Sequence, residues 1–446
     1  MISSLVGRTV RDGLSFDVLR ISYLVGAITL SSKFLFVIRD IMIAWTFGRS
    51  QALEAFILAF LIPFSFTNAL SNSLTMTFLP HFIELVEEGK QKQANDIYSG
   101  LLGITLLVSL AAMMFVIFGY SFYAPIAAAS FSVEGFTLMQ FLLYFTAPAA
   151  LINCFTNIWR EILNAKGLFL RSCSASIITP LISIILLIKY PDTGVLILSL
   201  GLLIGAVLEL IFLGTFLKLQ GISLVPGSNF LALKLRVPIR DWWKAFISLA
   251  LFNSMGLVNG VMAARRAEIG GLSLLNYGRK VVTLPNDIGA ITYSSVLIPY
   301  LSKLMAAKNP RKVMRVLNQW VAIIFLTTIP LVILLMVFAP SIVQNLYQRG
   351  AFTAADSESV TVILRYYSIQ IPFFIAFFVM FRVLPVIKKT PTALFGAAGV
   401  LLTVFFNYIC IRILGTSGIA LATSFVYMIL SIGLYFYIRA NLIARK

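Results

Sequence analysis

The sequence predicts an all-α integral membrane protein of about twelve transmembrane helices in two six-helix lobes related by a parallel repeat. Three observations carry that prediction: 59% of the 446 residues are apolar and only 12% charged, apolar runs follow one another along nearly the whole chain, and the two halves share sequence marks. A mean hydropathy of +0.95 is more than a soluble core of ordinary proportions absorbs. Lipid is the solvent such a chain is built for.

A helical crossing needs about 20 apolar residues. Runs of that length fall at 21–47, 51–80, 97–123, 136–163, 168–189, 194–219, 242–263, 271–304, 313–338, 359–386, 394–413 and 418–442. Glycine, proline and charged residues punctuate them in turn, from Gly48-Arg49-Ser50 after the first to Gly415-Thr416-Ser417 after the eleventh. The first twenty residues carry Arg8, Arg11, Asp12 and Asp17 and no apolar run with a small-residue cleavage site, so no cleaved signal peptide is expected. Cys154, Cys173 and Cys410 lie in apolar runs without metal or redox spacing and read as small core hydrophobes.

The formal charge of +18 reports topology before it reports a nucleic-acid partner. With a cytoplasmic N-terminus, 24 of the 35 Lys and Arg fall on inner segments and both termini, and six on outer loops: Arg49, Lys189, Arg265, Arg266, Arg349 and Arg412. That asymmetry predicts both ends inside.

The halves correspond at three places. TFLPHFIEL (77–85) answers VLIPYLSKL (296–304), Ala124-Pro125-Ile126 answers Ala339-Pro340-Ser341, and Pro148 answers Pro372, at offsets of 219, 215 and 224 residues. Six is an even number of crossings, so the second half returns in the same orientation, and substrate is expected between lobes. The expected division is an N-terminal lobe at 1–219, a linker at 220–241 along the inner membrane surface, and a C-terminal lobe at 242–446.

The five remaining basic residues, Lys33, Arg39, Arg279, Lys280 and Arg365, lie within spans. A charge at mid-bilayer costs about 2.5–3.5 kcal/mol on insertion scales, so such residues face a cavity or pair. Lys33 and Asp40 are seven apart, nearly superposed on one face, with Arg39 about 100° from Asp40; Lys280 and Asp287 repeat the spacing beside Arg279. One reading is internal neutralisation, Lys33 to Asp40 and Lys280 to Asp287, or their neighbours. The other is an anion site, since four cations against two acids leave net positive charge that suits a diphosphate. Glu54 is either a gate contact or a solvated N-terminal acid. Glu209 and Arg365 are lobe-internal pairs or coupling-ion sites. His81, beside Pro80, reads as interfacial.

Residues 32–82, with 275–304 and 346–360, resemble the signature regions of the MviN/MurJ flippases, lipid II exporters of the multidrug/oligosaccharidyl-lipid/polysaccharide superfamily. The resemblance spans all twelve runs. It implies a V-shaped cavity between two six-helix lobes, alternating access and an undecaprenyl-diphosphate-linked cargo. It also implies that Lys33 stands for a functional Arg, that Arg39 and Asp40 match an Arg-Asp pair, that Glu54 replaces a functional Asp, and that Lys280 replaces a cavity Arg. Thr67 and Asn68 stand where the family has an Arg-Arg pair, and Asn72 where it has a Glu. The family's two further C-terminal helices, which form a lipid groove, are not among these twelve runs.

The function expected from this reading is a flippase moving a lipid-linked cell-envelope precursor, lipid II or a related glycan, from the inner to the outer leaflet of the bacterial cytoplasmic membrane. Lys33, Arg39, Arg279 and Lys280 are its diphosphate ligands, and Asp40, Glu54, Asp287 and Glu209 its gate or coupling candidates. No cofactor, metal or nucleic acid is expected; the partners are the polyprenyl-diphosphate sugar and membrane lipids, the protein acts as a monomer, and energy comes from membrane potential or an ion gradient. A cation-coupled multidrug antiporter would want an acidic cavity. An enzyme of lipid-linked sugars would want clustered His or carboxylates, and the chain has one His. A scaffold would not keep charges at depth. With no GxxxxGK[ST] loop, no ATPase is expected.

Overall fold

The computed structural model describes residues 16–227, 239–266, 270–307, 309–385, 387 and 391–443; the N-terminal residues before Phe16 and half of the expected linker, 228–238, lie outside them. Among the described residues there are α-helices and one 3-10 turn and no strand. The helices are α1 (Phe16–Phe47), α2 (Gln51–Glu87), α3 (Gln91–Phe118), α4 (Tyr120–Ala127), α5 (Val133–Ala165), α6 (Phe169–Ala175), α7 (Ile178–Lys189), α8 (Leu196–Leu219), α9 (Ile239–Arg266), α10 (Gly271–Ala306), α11 (Pro310–Tyr347), α12 (Ala354–Ser368), α13 (Gln370–Val383), α14 (Thr392–Leu414) and α15 (Ser417–Ile443).

Every sequence-predicted span lands on one helix or on a broken pair. Ten spans are long and apolar enough to cross a membrane, and α12 with α13, bent by 42°, makes an eleventh. The 32-residue α1, with Lys33, Arg39 and Asp40 along it, occupies the first predicted run. Large apolar side chains remain exposed on α11 (Leu326, Ile333, Val337 and Phe338, among others), as lipid-facing surface requires.

Local chemistry sets the ends and breaks. Ser50 and Ser132 accept from the backbone N–H of Leu53 and Gly135, and Thr353 with Asp356 forms a capping box at the start of α12; each satisfies helix-end donors that would otherwise be orphaned. Pro372 withholds the N–H that would meet the Ser368 carbonyl, and the helix breaks there between α12 and α13.

Pro340 has a different outcome. The run predicted to end at 338 continues as α11 to Tyr347, although Pro340 cannot donate to the carbonyl of Met336. Arg365 of α12 supplies the missing donor, its Nε reaching that carbonyl at 3.1 Å. The matching Pro125 sits in the separate α4, beyond a break at Gly119. Thus the repeat is conserved in position while its two copies handle the proline differently. Arg365→Leu is expected to cost about 1 kcal/mol, the net value of one such bond, read as a lowered Tm of the purified protein in detergent.

By internal contacts the chain divides into two compact units. One comprises 1–42, 70–117 and 142–242; the other 43–69, 118–141 and 243–446. This differs from a division at the linker alone in assigning 43–69 and 118–141 to the same unit as the C-terminal residues. In the first unit α7 and α8 pack with almost no side chain between them: a Cβ on Gly201 or Gly205 would meet Ser183 and Thr179 at 3.0 and 2.8 Å. Small residues allow such approach in a membrane, where packing rather than the hydrophobic effect holds helices together. After α8 the chain turns back onto α3, with Gly227 N–H donating to the Ser99 carbonyl at 2.9 Å and Ser99 Oγ to the Val225 carbonyl at 3.2 Å. In the second unit the buried Tyr277 of α10 packs its ring on Tyr347 and Phe352, centroids 5.1 and 5.3 Å away, joining α10 to the end of α11 and the loop beyond it.

Candidate functional site

Within the first unit, the charged residues of α1 are partly committed to each other. Arg39 donates from Nε and Nη2 to Asp40 Oδ1 at 3.2 and 2.9 Å, with side chains only 16% and 11% exposed, and its guanidinium lies 4.9 Å from the Phe36 ring. The Arg-Asp pair therefore forms between chain neighbours, one of the arrangements that internal neutralisation allowed. Lys33 is exposed on the same helix.

Glu209, at mid-length of α8 and 2% exposed, is held by Arg160 Nη2 of α5 and by Thr179 Oγ1 of α7 at 3.2 Å. Arg160 also reaches Asn157 Oδ1, whose amide extends to Ser71 Oγ of α2. Four helices thus meet at one ion pair. Arg160, not singled out by the sequence, is the ion-pair partner of Glu209 within the first unit.

In the second unit, Glu54 is no solvated acid. It is 4% exposed and its Oε1 accepts from Leu272 N–H at 2.7 Å. That donor lies in the first turn of α10, where an anion also meets the positive end of the helix dipole. Gly48, at φ 47° just before α2, lets the neighbouring turn close: a Cβ there would run into the Ala351 carbonyl. Ala351 N–H donates to the Trp45 carbonyl at 2.8 Å, and Tyr277 OH to the Gly48 carbonyl at 3.1 Å. Gln51 Oε1 receives Ser132 Oγ at 2.9 Å. The α1–α2 turn, α10 and the α11–α12 loop are therefore tied by main-chain and carboxylate bonds around Glu54.

Arg279 and Asp287 of α10 line one cavity of about 420 Å³. Lys280, one residue round the helix, is half-buried and not among its lining residues. The lining also includes Asn68 of α2, which stands at the family's Arg-Arg position, and four amides that were not anticipated: Asn253 and Asn259 of α9, Asn286 of α10 and Gln370 of α13. Below it Asn407 Nδ2 donates to Asn259 Oδ1 at 2.7 Å, and Asn259 Nδ2 to Thr423 Oγ1 at 3.1 Å, an uncharged junction of α9, α14 and α15. The signal for these residues was neutral amides inside apolar runs. The four in-span cations considered for the site divide by unit, Lys33 and Arg39 in the first, Arg279 and Lys280 in the second. Among the described residues no group of three or more His, Cys, Asp or Glu is placed to hold a metal.

Comparison with known proteins places this arrangement in context. The family model "Lipid II flippase MurJ" matches residues 43–445. The lipid II flippase MurJ of Thermosipho africanus is 26% identical over 412 residues, covering 90% of this chain and 82% of that protein; a probable lipid II flippase MurJ of Vibrio cholerae is 24% identical over 440 residues, covering 92% and 81%. Among solved structures, a lipid II flippase MurJ in an inward closed conformation superposes with a TM-score of 0.77 at 23% identity, over 95% of this chain and 90% of that one. An inward-facing multidrug resistance MATE family transporter of the MOP superfamily gives 0.73 at 16% identity, over 94% and 98%.

Proposed function

Because the chain belongs to the lipid II flippase MurJ family, we propose that it moves a polyprenyl-diphosphate-linked cell-envelope precursor of the lipid II class between leaflets by alternating access. The observation that supports this most is the set of cations within apolar, membrane-spanning helices: Lys33 and Arg39 on α1, Arg279 and Lys280 on α10. A diphosphate is the cargo group that such residues suit, Arg by its planar fork and Lys as a point charge. The protein works in the bacterial cytoplasmic membrane with both termini inside, in keeping with the distribution of Lys and Arg, and as a monomer. It transports without catalysing a covalent step. Membrane potential or an ion gradient drives it.

Glu54 serves as the gate contact, supported by its place among the first amides of α10. Asp40 and Glu209 are each neutralised by an arginine, Arg39 and Arg160, which disfavours the acidic exchange site that a multidrug antiporter would need.

The test is reconstitution in liposomes with a fluorescent undecaprenyl-diphosphate sugar on the inner leaflet. Arg39→Ala and Lys280→Ala are each expected to slow its outward appearance about tenfold at equal protein, the loss of one bond to a charged group. Wild-type rates in both variants would remove the diphosphate assignment. No transport by the wild type, across several glycans and with a potential applied, would redirect the cargo assignment.

A further inference from the structure

The cavity beside Arg279 has a lining that a bare diphosphate does not need. Arg279, proposed above as a diphosphate ligand, and Asp287 both line it, so one cation and one acid account for its formal charge. The remaining polar lining is neutral. Asn286 is 7% exposed, and its side-chain carbonyl oxygen has no hydrogen-bond donor among the described residues. Gln370, 4% exposed, borders the same space with no side-chain hydrogen bond among the described residues. A buried polar atom left unpaired costs about 1–3 kcal/mol, and native proteins keep few of them. Phe252 and Phe374 add aromatic walls. Apolar faces with a few convergent polar groups, at a volume inside the usual range of about 300–1,000 Å³, describe a small-molecule site.

Amide side chains both donate to and accept from hydroxyl and N–H groups, while aromatic faces cover the apolar sides of a ring. Resting on the flippase reading above, we infer that the neutral amide and aromatic part of this cavity takes the sugar of the lipid-linked cargo, next to the diphosphate at Arg279. The Asn286 oxygen accepts from a sugar hydroxyl or amide N–H, and Gln370 bonds a second polar group. Both are then specificity-determining residues.

Two fluorescent probes in proteoliposomes test this: undecaprenyl diphosphate carrying an N-acetylhexosamine disaccharide, and bare undecaprenyl diphosphate. The wild type is expected to move the glycan lipid faster, and Asn286→Leu and Gln370→Leu each to lower the ratio of the two rates about tenfold, equivalent to about 1.4 kcal/mol. If Asn286→Leu does not fold, Gln370→Leu, on a different helix, carries the same expectation. An unchanged ratio, or equal loss of both rates, overturns the sugar pocket while leaving the flippase reading intact. A wild type that moves neither probe overturns the flippase reading itself, and this inference with it.

Discussion

Replacing Glu54 with alanine is expected to reduce lipid flipping about 10- to 100-fold. Its carboxylate accepts from the Leu272 amide in a place almost closed to solvent. An amide left dry and unpaired costs about 1–3 kcal/mol, which removes roughly one to two orders of magnitude in population from the arrangement that the bond holds. A carrier that must visit that arrangement in every cycle loses the same factor in rate. Glu54→Gln keeps one acceptor oxygen without the charge and should fall between. The contact is also readable without transport. With Cys154, Cys173 and Cys410 replaced, Ser273→Cys places a thiol at a position with 0% exposure. Its alkylation should accelerate about tenfold or more when Glu54→Ala is added, and equal rates with and without Glu54 would show that the carboxylate holds nothing closed.

Glu209→Ala is expected to cost about 3–5 kcal/mol of stability, because it strands the Arg160 guanidinium among α2, α5, α7 and α8; breaking a buried pair costs more than the pair itself contributes. The double replacement Arg160→Met with Glu209→Leu removes both charges and should recover most of that loss. Thermal unfolding in detergent measures both variants. Flipping by the double variant then separates two roles: near wild-type transport makes the pair structural, whereas a stable protein that does not flip makes it part of the coupling machinery. A Glu209→Ala protein as stable as the wild type would contradict the pairing altogether.

The spans were legible because helix length and apolarity are local properties, and all twelve runs correspond to helices or broken pairs. Membrane-embedded charge was legible for the same reason: Lys33, Arg39, Lys280 and Glu209 stand out against apolar neighbours. Partnership was legible only along one helix, because periodicity says nothing of the helix opposite. Asp40 bonds to its own neighbour Arg39, one of the neutralising partners considered for it, whereas Glu209 is held by Arg160 of another helix. Glu54 at a helix start read equally as solvated or as a contact until α10 appeared beside it. The amides Asn253, Asn286 and Gln370 were passed over since neutral polar residues carry no topological signal and only a small insertion penalty. Pro340 shows the converse limit. Its sequence suggested the end of a span, and only a side chain from another helix, Arg365, explains why α11 runs on.

The Arg160–Glu209 pair also says something about the order in which this chain can be built. Arg160 leaves the ribosome 49 residues before Glu209. When α8 is offered to the bilayer, the carboxylate midway along it would by itself resist entry by an amount of the order of the 2.5–3.5 kcal/mol found for Asp at a helix centre, yet α5 already presents its guanidinium. The earlier helix thus acts as a receptor for the later one. A circular permutant that keeps every native contact but makes α8 before α5 would reverse this sequence of events, and its yield of inserted protein should fall although its finished fold is the same.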